Sequence, residues 1–172
     1  MATAGATIDD AAIMAAIEHL PDPEIPVLTL NDLGIIRGIA HDPTRVLISP
    51  TYTGCPATVA IESSIREALD HAGLRDVHIE RVLFPPWTTD WITPEGRRKL
   101  AAVGIAPPPE ARASGAPRRG PVPLTLGRAP SARCPRCGSP DTRLTAQFSA
   151  TACKSLHRCN ACGEPFEAVK PI

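Results

Sequence analysis

Aromatic side chains are scarce in this 172-residue chain, where one Tyr, two Trp and three Phe make up 3% of the sequence. That scarcity excludes a core built on stacked rings and leaves the packing to Ala, Val, Ile and Leu. Net charge is missing too: 18 Lys and Arg balance 18 Asp and Glu, so the molecule as a whole has no field with which to gather nucleic acid or an anionic membrane. No run reaches the roughly 18 apolar residues of a membrane-spanning helix, and the opening MATAGATIDD has neither a basic region nor an apolar stretch of export-signal type. A cytoplasmic protein with no membrane association is the expectation. A glycine-rich phosphate loop is also absent.

What is present falls into two parts. From Thr7 to Leu20 the residues Ile8, Ala12, Ile13, Ala16, Ile17 and Leu20 recur at helical spacing, with Thr7 and Asp10 as a capping box. Pro21, Pro23 and Pro26 then forbid helix and make Asp22-Pro23-Glu24-Ile25-Pro26 a loop carrying two acids. Gly34–Ile39 and Arg45–Ser49 read as strands joined by a turn at His41–Thr44. A helix is expected over Ala57–Ala72, with Pro56 at its start and Gly73 past its end, then a strand over Val77–Val82 and a short helix from Thr93. The order predicts an α/β (α+β) fold in which a small mixed sheet is flanked by helices.

Between Ile105 and Ala132 lie seven of the chain's 20 prolines, among Gly, Ser, Ala and Arg and with little periodicity. This composition reads as a semi-extended linker. The expected organisation is therefore residues 1–104 as the α/β domain, 105–132 as the linker and 133–172 as a metal-stapled module.

The second part rests on cysteine. Six cysteines in a reducing compartment point to metal ligation or reactivity rather than three disulfides. Cys134-Pro135-Arg136-Cys137-Gly138 and Cys159-Asn160-Ala161-Cys162-Gly163 are two C-x-x-C-G knuckles, whose two-residue spacers turn both thiolates onto one ion. Cys134, Cys137, Cys159 and Cys162 are thus candidate ligands of one structural zinc in a zinc ribbon. A redox C-x-x-C pair and an iron-bound S₄ site are the alternatives. Cys153 and His157, in the stretch between the knuckles, are candidates for an additional metal site. Arg133, Arg136, Arg143, Lys154 and Arg158 make this part basic. Only Phe148 and Phe166 could stack on bases, so a docking face for an acidic protein competes with nucleic acid.

Cys55, in Thr53-Gly54-Cys55-Pro56, precedes the predicted second helix, where backbone amides and the helix dipole favour a thiolate. A single cysteine holds no stable iron-sulfur cluster but could ligate one transiently with a partner's ligands, and a small buried hydrophobe is the alternative. Asp22, Glu24 and Asp32 could line the same pocket or serve as turn and capping acids. Trp87 and Trp91, in a Pro-stiffened stretch from Phe84 to Ile92, are candidates for a partner-binding surface, or else roof the core. No histidine or third residue places Cys55 in a nucleophile pattern, so catalysis is not expected.

The stretches Asp22–Pro26, Asp32–Ile36 and Thr53–Pro56 resemble the small α/β domain of iron-sulfur cluster assembly factors. With Phe84–Ile92, Pro94–Arg97 and the ending Cys153–Phe166, the chain resembles the D subunit of the bacterial phenylacetyl-CoA epoxidase system. The resemblance implies an accessory role in aerobic phenylacetate breakdown, in which a di-iron oxygenase and an iron-sulfur flavin reductase carry the chemistry and are the implied partners, alongside a possible homodimer. It implies help in maturing or maintaining a metal centre, with Cys55 at the reactive-cysteine position. No E-x-x-H helix pair and no flavin or nucleotide motif is present, so this chain is not expected to be the oxygenase. A zinc-carrying docking component of the complex is the second expectation.

Overall fold

The computed structural model describes residues 9–52, 54–109 and 132–171. Two compact units divide at Gly96/Arg97. In the first, α1 (Asp10–Ile17) begins at Asp9, whose side chain accepts the Ala11 amide. The capping box expected at Thr7 lies outside the described residues. Ile13 and Ile17 are fully buried at one-turn spacing, and α1 packs against α2 (Ala57–His71). Ile61, Ile65 and Leu69 supply the buried stripe of α2, as i, i+4 spacing on an amphipathic helix requires.

The helix α2 ends where Gly73 and Leu74 return their amides to Asp70 and Leu69, closing both orphan carbonyls. Strands β1 (Ile36–Ala40) and β2 (Arg45–Ile48) form the expected antiparallel hairpin, and β2 pairs in parallel with β3 (His78–Arg81). A parallel neighbour needs a crossover, and α2 provides it. The sheet order is β1-β2-β3. With Leu28, Leu30, Ile35, Val46, Ile48 and Val77 all essentially inaccessible, the core is aliphatic, as the shortage of rings predicts.

Helix α3 (Pro94–Ala102) contains the division between the units. The second unit holds a four-stranded sheet ordered β4-β7-β6-β5, made of β4 (Ile105–Ala106), β5 (Thr142–Ala146), β6 (Lys154–Cys159) and β7 (Pro165–Val169). β5, β6 and β7 run antiparallel in sequence order, and β4 pairs in parallel with β7 at Ile105↔Glu167 and Ala106↔Ala168. This differs from the expected division at 104/105. The first unit ends earlier, and the residues expected to open the linker are a strand of the ribbon sheet. Two residues carry no alternation to read, which is why composition alone assigned them to the linker. The rest of that segment, 110–131, lies outside the described residues. The second core is small, comprising Ala106, Cys134, Cys159, Phe166 and Ala168.

Candidate metal centre and the Cys55 loop

The two knuckles fold by the same local rule. In each, the glycine amide returns to the first cysteine's carbonyl (Gly138 to Cys134, 2.8 Å; Gly163 to Cys159, 3.0 Å). The first cysteine's amide then donates to the residue after the glycine (Ser139, 3.0 Å; Glu164, 2.9 Å). Both turns require a left-handed residue, and Gly138 and Gly163 sit at φ +72° and +78°, a region that costs glycine nothing. Asp141 joins the knuckles: its carbonyl accepts the Asn160 amide at 2.9 Å and its carboxylate the Asn160 side chain at 2.8 Å. No sequence pattern announces this clamp, because Asp141 and Asn160 are ordinary turn residues.

The result brings four sulfurs together. The Sγ atoms of Cys134, Cys137, Cys159 and Cys162 all lie within 4.8 Å of one another. Cys134 lies 3.7 Å from Cys162, and Cys137 lies 3.6 Å from Cys159. Four thiolates around zinc at about 2.3 Å form a tetrahedron with edges of about 3.8 Å, so the arrangement has the size of that shell. The first cysteine of each knuckle is buried and the second exposed, so the group joins the core to the surface.

Electrostatics also favours a cation here. The Cys162 and Ala161 amides aimed at Cys159 outweigh its burial and lower its thiol to about 7. Cys137 receives a favourable amide from Ser139, yet crowding by the sulfur of Cys162, with burial and the sulfurs of Cys159 and Cys134, pushes it up to about 12. Four negative sulfurs at this separation repel, and a divalent cation removes the conflict.

Cys153 and His157 are not part of the four-sulfur group. The Cys153 sulfur is 3.2 Å from the Thr151 hydroxyl. His157 is buried and stacks on Phe166 at 5.5 Å, with Nε2 3.0 Å from the Ser155 hydroxyl. Lys154, expected to contribute to a basic surface, is instead buried and bonded to Glu167 at 2.7 Å.

In the first unit, Cys55 sits between β2 and α2 and is 8% exposed. Its amide donates to Tyr52, and its carbonyl accepts both the amide and the hydroxyl of Thr58, at 3.1 and 2.8 Å. The Thr58 amide at the helix start therefore bonds the Cys55 carbonyl, not the thiol. Asp22 accepts the Glu24 and Ile25 amides at 2.9 and 2.7 Å, and Asp32 the Thr29 amide at 3.0 Å. These are the turn-forming roles of such acids.

The Asp32-Leu33-Gly34 turn is the seat of the tryptophan segment. Trp87 is 5% exposed and its indole donates to the Leu33 carbonyl at 2.9 Å. This corrects the expectation of a partner-binding ring at Trp87, since large apolar area in an aromatic-poor core is more stable inside. Trp91 is half-buried, its backbone oxygen and Cβ press on Gly34, and the Arg37 guanidinium covers its ring at 3.4 Å. Thr93 completes the seat by donating its amide to the Asp32 carbonyl at 2.9 Å. No helix of the described residues is long and apolar enough to cross a membrane.

A small α/β domain with a cysteine at a strand-to-helix turn, together with a four-cysteine ribbon, defines the class: an assembly-type domain joined to a zinc-ribbon domain. Residues 10–80 match the family model described as iron-sulfur cluster assembly protein, and 118–170 match the PaaD zinc beta ribbon domain. The chain is 43% identical to the putative D subunit of 1,2-phenylacetyl-CoA epoxidase from Escherichia coli (strain K12), over 93% of this chain and 92% of that one. It belongs to the family of phenylacetyl-CoA epoxidase D subunits. It is also 33% identical to the Fe-S protein maturation auxiliary factor YitW of Bacillus subtilis (strain 168), over 54% of this chain and 91% of that one. A crystal structure of a domain of unknown function, DUF59, from Bacillus anthracis is 21% identical, with a TM-score of 0.47 over 53% of this chain and 90% of that one.

Proposed function

We propose that this chain is a non-catalytic accessory subunit of a phenylacetyl-CoA epoxidase system in phenylacetate degradation. It assists the maturation or maintenance of an iron-sulfur or di-iron centre in the oxygenase or reductase subunits, in the cytoplasm. Cys134, Cys137, Cys159 and Cys162 hold one zinc, which supplies folding free energy and no chemistry. The observation that carries the metal assignment is the four-sulfur group, with 3.6 and 3.7 Å separations between the knuckles. The maturation role rests on the Cys55 turn within the segment that matches the assembly family, where Cys55 contributes one transient ligand.

A second reading, a docking component that carries only the ribbon metal, is favoured by the burial of Cys55. Among the described residues, the ribbon cysteines are the one cluster suited to a metal. One experiment separates the two. Protein purified without oxygen is analysed for zinc, iron and acid-labile sulfide, and Cys55→Ala is tested for support of epoxidase activity in cells lacking the native chain. One zinc per chain, iron uptake that depends on Cys55, and failed complementation are expected for maturation. Full complementation by Cys55→Ala would establish the docking reading instead.

A further inference from the structure

The outer face of the ribbon carries a charge arrangement that the metal site does not explain. Along β6 the residues alternate, with Ser155, His157 and Cys159 buried and Leu156 and Arg158 exposed. Arg158 stands directly opposite Arg143 of β5. Facing like charges on one sheet face repel and destabilise the pair. On its other side Arg158 faces Pro165 of β7, and the nearest acid of that strand, Glu167, stands opposite Leu156 and is bonded to Lys154.

The acids of the ribbon are already engaged. Residues 132–171 contain three: Asp141, Glu164 and Glu167. Asp141 holds Asn160, Glu164 pairs with Arg136, and Glu167 pairs with Lys154. Arg143 and Arg158 remain as two adjacent guanidinium forks in a chain whose formal net charge is zero. Leu156, exposed next to them on the same face, adds an apolar contact.

We infer that this face, centred on the Arg143–Arg158 cross-strand pair, docks an acidic peptide segment of a partner protein, with carboxylates on the guanidinium forks and an apolar side chain on Leu156. Guanidinium forks match carboxylates two bonds at a time. Nucleic acid fits less well, because single strands bind by stacking on open rings. Phe166 is buried under His157, and the Phe148 ring is covered by the Lys170 ammonium at 3.7 Å. The inference stands on the ribbon face alone and does not depend on the role of Cys55.

The test uses the full-length, zinc-loaded protein and two labelled probes followed by fluorescence anisotropy, a peptide of alternating Glu and Leu and an oligothymidine of equal charge. Tight, salt-sensitive binding of the peptide is expected, weakened about tenfold by Arg143→Ala with Arg158→Ala. The melting temperature of that double variant should not fall, since it relieves a repulsion. Arg143→Lys with Arg158→Lys, which keeps the charge and loses the forks, should recover only part of the affinity. Arg133→Ala with Lys170→Ala removes the same charge elsewhere and should leave binding nearly unchanged. Equal losses in the two alanine doubles, tighter binding of the oligothymidine, or no peptide binding by the native protein would each overturn the inference.

Discussion

Gly34 shows how much one missing side chain decides. Its φ is +67°, and a Cβ built there would stand 2.7 Å from the Trp91 carbonyl oxygen and 2.8 Å from the Trp91 Cβ. Two independent penalties coincide, left-handed backbone and a clash with atoms that cannot swing away. Gly34→Ala should therefore destabilise the first unit by about 2–4 kcal/mol. Urea unfolding followed by Trp fluorescence is the measurement, because the indole of Trp87 is bonded to the neighbouring Leu33 carbonyl. An unchanged midpoint would mean that the 87–93 segment is not seated on this turn. Asp32 and Leu33 act through the same contacts, so a motif that in sequence invites a functional reading is here the seat of a loop.

Strand β6 carries an unusual burden for so small a sheet, since Lys154, Ser155 and His157 are all buried. Burial opposes ionisation of the Glu167 carboxylate, but the Lys154 ammonium, the Ser149 hydroxyl and the Ala150 amide outweigh it and hold the group below its ordinary value. A carboxylate depressed in the folded state stabilises above its unfolded value and loses that contribution as pH falls through the folded one. Glu167→Gln should thus weaken the ribbon by about 2 kcal/mol near neutral pH, short of the 3–5 kcal/mol of a wholly buried pair because Glu167 remains partly open. The gap between native and variant should hold down to the unfolded Glu value of about 4.3 and narrow below it, as pH falls through the depressed folded value. Lys154→Met with Glu167→Leu should recover most of the loss, which isothermal denaturation of the zinc-loaded protein can check. A double variant as weak as the single one would show that the pair is not coupled.

The long elements of the first unit were legible because period and punctuation agreed. Ala57–His71 has its buried stripe and its terminal glycine, Arg45–Ile48 has a short apolar run, and His78–Arg81 lies in the alternating stretch Val77–Val82. The knuckles were legible from spacing alone. What could not be read were the features made by distant pairing. These are the two residues of β4, the burial of Lys154 through Glu167, and the tryptophans' attachment to residues 32–34. Trp87 announces only its size in sequence, and whether that size is spent on a partner or a core depends on where Leu33 comes to lie.

For the molecule as a whole, the two units draw on different sources of stability. The first has a largely aliphatic core, whereas the core cluster of the second has five residues, two of them cysteines of the metal group. A core that small is far short of the entropy of ordering its chain, so metal binding should provide most of the ribbon's folding free energy. Treatment with a strong zinc chelator, or Cys134→Ser, should abolish protection of β5–β7 amides from hydrogen exchange while leaving α2 and β2 protected. Loss of protection in both units at once would mean that they unfold as one.

The pairing of β4 with β7 changes the meaning of the proline-rich stretch. A segment that leaves the ribbon sheet at Ala106 and returns to the ribbon core at Cys134 begins and ends on the same body. It is topologically a handle, not a hinge. The entropy of closing such a handle grows only with the logarithm of its length, so even doubling it would cost about 0.6 kcal/mol. Its length is therefore nearly free to drift over generations, while the two residues of β4 that close it are not.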